Sequence, residues 1–228
     1  MGGLYGKLPA HGDFIRRGLT AETGKRLHDW LQTGLATLPA QDRDERMQGA
    51  PCWRFAAPAG LLAEAPVAGV VAPSRDQVGR IYPLVAFLSL AGQDLAAALV
   101  DGAWAAGLEG LIGEAAQAPL DADQLLAAMH RLDPPGAWRG ELGPRSTRLG
   151  GALRVDVAAQ DALLLALAAG TPAGPDASGK SLWWSLTDAG AVLLCVDGLP
   201  VDEVFESLFG DPQAPGSAPS RELRLCNT

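Results

Sequence analysis

The stretch Gly69 to Leu84, GVVAPSRDQVGRIYPL, constrains this chain more than any other. Val67 to Val71 on one side and Pro83 to Leu90 on the other are apolar runs of strand length, and both read as buried strands. Ser74, Arg75, Asp76 and Arg80 lie in the connection between these two core elements. Pro73, Gly79 and Pro83 restrict the backbone of that connection, so its charged groups can be held in fixed positions.

Two other stretches have the same character. Gly6 to Leu19 reads GKLPAHGDFIRRGL, and Pro51 to Phe55 reads PCWRF. Within the second, Arg54 lies between Trp53 and Phe55 in a strand pattern and so faces opposite to them. Asp13, Arg16, Arg54, Asp76 and Arg80 form a charged set in otherwise apolar surroundings. Arginine makes paired hydrogen bonds to carboxylates, which suits it to joining separate loops. Buried charges need partners. The set therefore reads as an ion-pair network fixing the N-terminal loop against the Ser74 to Arg80 connection, with Lys7, Trp53 and Ser74 as further motif residues. Asp13 is expected to pair with Arg54 or Arg80 first, or with backbone N–H groups of its own loop. The same fixed loops can also form a surface that a partner reads. Arg17 and Arg75 each adjoin a network residue, and alternation directs them outward as the partner surface.

The three stretches together resemble the type VI secretion accessory family TagF, also called ImpM. The family pattern is close to GKLPxxGDFxRR, then PxWRF, then GVxxPSxDxVGRxYPL. This chain supplies Gly6 to Pro9, Gly12, Asp13, Phe14, Arg16 and Arg17. It then supplies Pro51, Trp53, Arg54 and Phe55, followed by Gly69, Val70, Pro73, Ser74, Asp76 and the run from Val78 to Arg80, with Tyr82 to Leu84. Beyond Leu90 the resemblance is weaker and rests on Ser181 to Trp183, and on Gly198, Leu199 and Pro200 before Phe205. It implies a three-layer α/β/α sandwich. It also implies a non-enzymatic, cytoplasmic, post-translational repressor of the secretion system that sequesters a forkhead-associated scaffold protein. Some members are fused to a PP2C-type phosphatase. This chain is too short to hold one beside the TagF region, so dephosphorylation would come from another polypeptide.

The bulk properties agree with a globular chain. It has 228 residues, is 48% hydrophobic, and is long enough for a sizeable core. Its net charge of −8 and the absence of a long basic run argue against nucleic-acid binding. The nearest thing to a basic cluster, Arg139, Arg145, Arg148 and Arg154, is sparse and interrupted. Three scattered cysteines, Cys52, Cys195 and Cys226, do not make a disulfide framework. Met1 to Pro9 has no long apolar run, so no signal peptide is expected, and no stretch reaches the ~20 apolar residues of a membrane span. These features point to the cytoplasm.

Helices are expected over Thr20–Leu38, Asp94–Ala118, Asp121–Leu132, Ala159–Ala169 and Pro200–Phe209, with Gln41–Gln48 a polar helix or loop. Strands are expected over Leu4–Leu8, Cys52–Ala57, Val67–Val71, Leu84–Leu90 and Leu153–Val157. A hairpin is expected from Ser181–Leu186 and Ala191–Val196. Pro9–Gly18 and Gly136–Gly151 read as loops, and Gly170–Gly179 as a linker. Strands mixed with helices suggest an α/β sandwich with a mixed, partly antiparallel sheet. One domain spans 1–210. The motif-bearing region covers 1–132, the region of weaker resemblance covers 138–210, and 211–228 is a flexible tail. Trp104 and Trp138 are candidates for an exposed aromatic anchor, with a core role preferred for Trp104.

No cofactor is expected. Gly6-Lys7 lacks the earlier glycine, the following Ser or Thr and the preceding strand of a phosphate loop. His11, Asp13 and Ser74 have the residue types of a hydrolytic triad, but Ser74 sits in no G-x-S-x-G elbow. A hydrolase using the Asp13 and Ser74 loops is the alternative reading, and a structural accessory subunit of the apparatus a third. His11, His28 and His130 have no local metal-ligand spacing.

Overall fold

The computed structural model describes residues 2–90, 102–132, 146–149, 152–155, 179–187 and 190–209. Its centre is a hairpin of the two strands expected on either side of the Ser74 to Arg80 connection, with Ser74 and Arg75 paired in the first strand and not in the connection. Strand β4 (Val67–Arg75) pairs antiparallel with β5 (Ile81–Ser89) over nine residues each, from Val67 opposite Ser89 to Arg75 opposite Ile81. The apolar run of each strand is buried, which is why strand pairing wins there over any helical alternative.

Five more strands extend this pair. β1 (Gly2–Gly6) lies against β5, and β2 (Ile15–Arg17) against β1. On the other side come β3 (Trp53–Ala57), β8 (Lys180–Thr187) and β9 (Gly190–Asp197). The sheet order is β2-β1-β5-β4-β3-β8-β9. Every ladder in it is antiparallel, which corrects the expectation of a mixed sheet. The physical reason is connectivity: β1 and β2, β3 and β4, β4 and β5, and β8 and β9 are consecutive strands that pair as neighbours with at most nine residues between them, whereas parallel neighbours need crossovers of about a dozen or more. A separate hairpin, β6 (Ser146–Leu149) with β7 (Ala152–Val155), starts in a stretch expected to be loop.

Side chains alternate between two apolar clusters, as strand geometry requires. Leu4, Ala56, Val70, Leu84, Ala86 and Trp184 pack with Trp104, Leu108 and Ile112 of α3 (Gly102–Gln117) and with Leu125 and Met129 of α4 (Ala122–Met129). Tyr5, Phe55, Val71, Val85 and Trp183 pack with α1 (Ala21–Thr37), with Met47 of α2 (Arg43–Gly49), and with Phe205, Leu208 and Phe209 of α5 (Asp202–Phe209). Trp183 and Trp184 are therefore both core, one in each cluster, and Trp104 is core as preferred.

Local chemistry sets the helix starts. Thr20 Oγ1 accepts from Thr23 N at 3.1 Å at the start of α1, and Pro39 follows its end. Asp121 and Gln124 form a reciprocal capping box at the start of α4. Two indole N–H groups tie the last described segment to the rest: Trp30 Nε1 donates to Pro200 O and Trp53 Nε1 to Leu208 O, each at 2.8 Å. The helix over Ala159–Ala169, the linker through residue 178, the beginning of the Asp94–Ala118 helix, Trp138 and the 211–228 tail lie outside the described residues.

Candidate functional site at the end of the central hairpin

The β4–β5 hairpin runs past both of its neighbours. Its ladder with β3 ends at Val71 and its ladder with β1 at Val85, yet β4 and β5 stay paired out to Arg75 and Ile81. Pro73 faces Pro83 in this extension. Neither has an N–H to donate, and both are tolerated because no flanking ladder reaches them. The turn closes with Gly79 N donating to Asp76 O at 3.0 Å and Asp76 N to Arg80 O at 3.1 Å. Gly79 has φ +90, a left-handed conformation that a residue with Cβ adopts only at a cost.

Asp76 organises this turn. It is buried, and its carboxylate accepts four hydrogen bonds. Oδ1 takes Val78 N at 3.1 Å and Arg80 N at 2.9 Å. Oδ2 takes Lys7 Nζ at 2.9 Å and Arg80 Nε at 2.6 Å. Burial alone would raise the Asp76 pKa, but Lys7 and the backbone and side-chain N–H groups of Arg80 outweigh it and hold the carboxyl well below the usual range. The Lys7 ammonium is buried with it, whereas the Arg80 side chain is 61% exposed.

The N-terminal loop is bonded to the turn. Gln77 N donates to His11 O at 2.9 Å, and Arg80 Nη2 to Gly12 O at 2.8 Å. The loop is also held to α4: His11 Nε2 lies 3.2 Å from Ala122 N and 3.4 Å from Asp121 Oδ2, and Arg17 Nε lies 2.7 Å from Asp123 Oδ1. Phe14 sits over the junction. Its ring meets Tyr82 edge-on at 4.7 Å, and Lys7 Nζ lies 5.3 Å from its centroid. Tyr5 Oη is 2.7 Å from His28 Nδ1, and Arg16 lies 5.5 Å over the Tyr5 ring. Burial pushes the phenol pKa of both Tyr5 and Tyr82 up, so these hydroxyls stay protonated.

Of the predicted network, the fold brings Lys7, Asp76 and Arg80 together and leaves the others apart. Asp13 is exposed and accepts from Phe14 N of its own loop at 2.7 Å; among the described residues it pairs with no arginine. The pairing with Arg54 fails because Arg54 lies on β3 and faces α3, where its Nη2 donates to Glu109 Oε2 at 2.6 Å. In place of the pairing with Arg80, that guanidinium gives its Nε to Asp76, four residues away on the same turn, and its Nη2 to Gly12 O. Arg16 stacks over Tyr5 instead of joining the ion pairs. Trp53 is a core residue. Ser74 is buried, and its hydroxyl has no partner among the described residues. Arg17 is not a free surface cation, since Asp123 holds it; Arg75 is exposed and its side chain makes no bond among the described residues.

Sequence reasoning missed Glu109 and Asp123, and took Val78 only as a residue of the family pattern. The first two become neighbours of the motifs only through the tertiary fold, so no local signal could have found them. Val78 carried one: an apolar residue in a polar turn between Gln77 and Gly79.

A family model described as the TagF N-terminal domain, type VI secretion system-associated, matches residues 3–132, more than half of the chain. The chain belongs to the TagF family. A crystal structure of PA0076 from Pseudomonas aeruginosa PAO1 is similar to it, with 31% sequence identity and a TM-score of 0.67 over 92% of this chain and 94% of that one. No curated protein matches the chain. All three TagF motif blocks lie inside the family match, whereas β8, β9 and α5 lie beyond it. Among the described residues no group of three His, Cys, Asp or Glu is placed to hold a metal ion, and no helix is long and apolar enough to cross a membrane.

Proposed function

We propose that this chain is a non-enzymatic, post-translational repressor of a type VI secretion system, acting in the cytoplasm by binding a forkhead-associated scaffold protein and so withholding it from assembly. Membership of the TagF family associates the chain with the secretion system. One observation carries the rest: the N-terminal and 69–84 motif blocks converge on a projecting, solvent-facing turn whose buried charges neutralise one another. Such an arrangement builds a rigid surface. A hydrolytic site would need His11, Asp13 and Ser74 coupled. Instead His11 is engaged by the start of α4, Asp13 by its own loop, and the Ser74 hydroxyl has no partner among the described residues. The two apolar clusters, one on each sheet face, support reading the fold as a three-layer α/β/α sandwich.

The test is reconstitution. Purified chain and purified full-length scaffold should form a complex, and overproduction of the chain should lower secretion without lowering scaffold abundance. Secretion that falls with no complex, or a complex with no effect on secretion, would defeat the reading.

A further inference from the structure

Among the described residues three large apolar side chains are exposed: Phe14 at 36%, Val78 at 73% and Val201 at 48%. Two of the three belong to the loop and turn joined at the end of the central hairpin. A single exposed valine needs no explanation, but Val78 differs in how it is held. Its own N–H is fixed by the buried Asp76 carboxylate, Gly79 closes the turn behind it, and Gln77 and Arg80 bolt the turn to the N-terminal loop. An exposed tip with that many internal bonds has little freedom left to lose on binding. It stands beyond both flanking ladders, 73% exposed among the described residues.

The exposed charges on the turn itself, residues 75–80, are both cationic. The Arg75 side chain is exposed and makes no bond among the described residues, and the Arg80 side chain is 61% exposed although its Nε and Nη2 are bonded. On a chain of net charge −8 this is a local reversal. An apolar centre with a cationic rim fits a socket that is apolar at its centre and acidic at its edge.

We infer that Val78 is the apolar knob of the scaffold-binding interface, with Phe14 on the loop bonded to its turn and Arg75 at the start of that turn, and that it enters an apolar socket edged by carboxylates on the forkhead-associated scaffold. This rests on the function proposed above and adds to it the contacting face and the chemistry of the partner surface.

The experiment measures binding kinetics of the full chain to the purified full-length scaffold at low and physiological salt. Wild type is compared with Val78→Glu, Arg75→Glu and the distant control Val201→Glu. All three positions are exposed, so melting temperatures should match wild type. Val78→Glu puts a carboxylate into an apolar, acid-edged socket and should weaken binding at least about tenfold. Arg75→Glu should slow association several-fold and reduce its salt dependence. Val201→Glu should bind as wild type does. Wild-type binding by Val78→Glu overturns this interface and leaves the scaffold reading standing. Equal loss in Val78→Glu and Val201→Glu also overturns it, because the effect is then not specific to the tip. No binding by wild type overturns both. If Val78→Glu melts early, Val78→Ser replaces it, and unchanged affinity in that variant counts against the inference.

Discussion

At the scale of single residues, Asp76 explains why this motif is built as it is. Four donors converge on one buried carboxylate, two from the backbone and two from cations. Asp76→Asn keeps an acceptor for the backbone but turns an amide N–H toward Lys7 or Arg80. The buried ammonium of Lys7 is then left without a counter-charge, so the variant should melt well below wild type. Adding Lys7→Met should recover some of the loss, because it removes the stranded charge. The same carboxylate sets a pH dependence. Its pKa is lowered in the fold, so its stabilisation is fully present above the unfolded carboxylate value of about 4 and is lost as pH falls toward the lowered folded value. Melting followed from about pH 7 down to about pH 3 should therefore be steeper for wild type than for Asp76→Asn. Identical profiles would mean that Asp76 is not the group responsible.

At the scale of elements, helix packing has one tight point and one loose one. Gly34 of α1 lies against the Phe205 ring of α5 so closely that an added Cβ would overlap it. Gly34→Ala should cost about 1–3 kcal/mol through forced repacking. Gly110 on α3 is exposed and has nothing within 4 Å of such a Cβ. Gly110→Ala should add about 0.5–1 kcal/mol by helix propensity alone. Chemical denaturation of the two variants checks both signs. The elements themselves were largely legible in the sequence. Thr20, Asp121 and Pro39 bounded α1 and α4, and apolar runs of strand length marked β3, β4, β5 and the β8–β9 hairpin. β2 was hidden in a loop because its three residues are too few for a period to emerge. The ion pairs were legible only where sequence neighbours make them. Asp76 and Arg80 share a turn, but Arg54 finds Glu109 across a fold that no local pattern encodes.

At the scale of the molecule, the family match and the folding unit do not end at the same place. The match stops at residue 132, yet β3 pairs with β8, Trp183 stacks on Phe55 at 4.9 Å and meets Trp30 at 5.4 Å. A fragment of residues 1–132 should therefore leave the α1 face of the sheet uncovered. We expect it to bind hydrophobic dye, aggregate and show no cooperative melting, in contrast to the full chain; a soluble, cooperatively folding fragment would contradict this. The Arg54–Glu109 pair closes the opposite face. Glu109→Ala should destabilise the protein by about 3 kcal/mol, because it strands a buried guanidinium, and a paired Arg54→Met, Glu109→Leu variant should recover most of that.

The β3–β8 ladder has a further consequence, for the chain as it is synthesised. The β4–β5 hairpin can form as soon as its turn has left the ribosome, because its partners are local. β3 then waits with one edge open until β8 arrives from far along the chain, and Trp30 and Trp53 wait longer still for Pro200 and Leu208 to accept their indole protons. The recognition tip is thus among the first segments able to take its final shape. The apolar face beneath α1 is among the last to close, and the newborn chain is most open to aggregation in the interval between those two events.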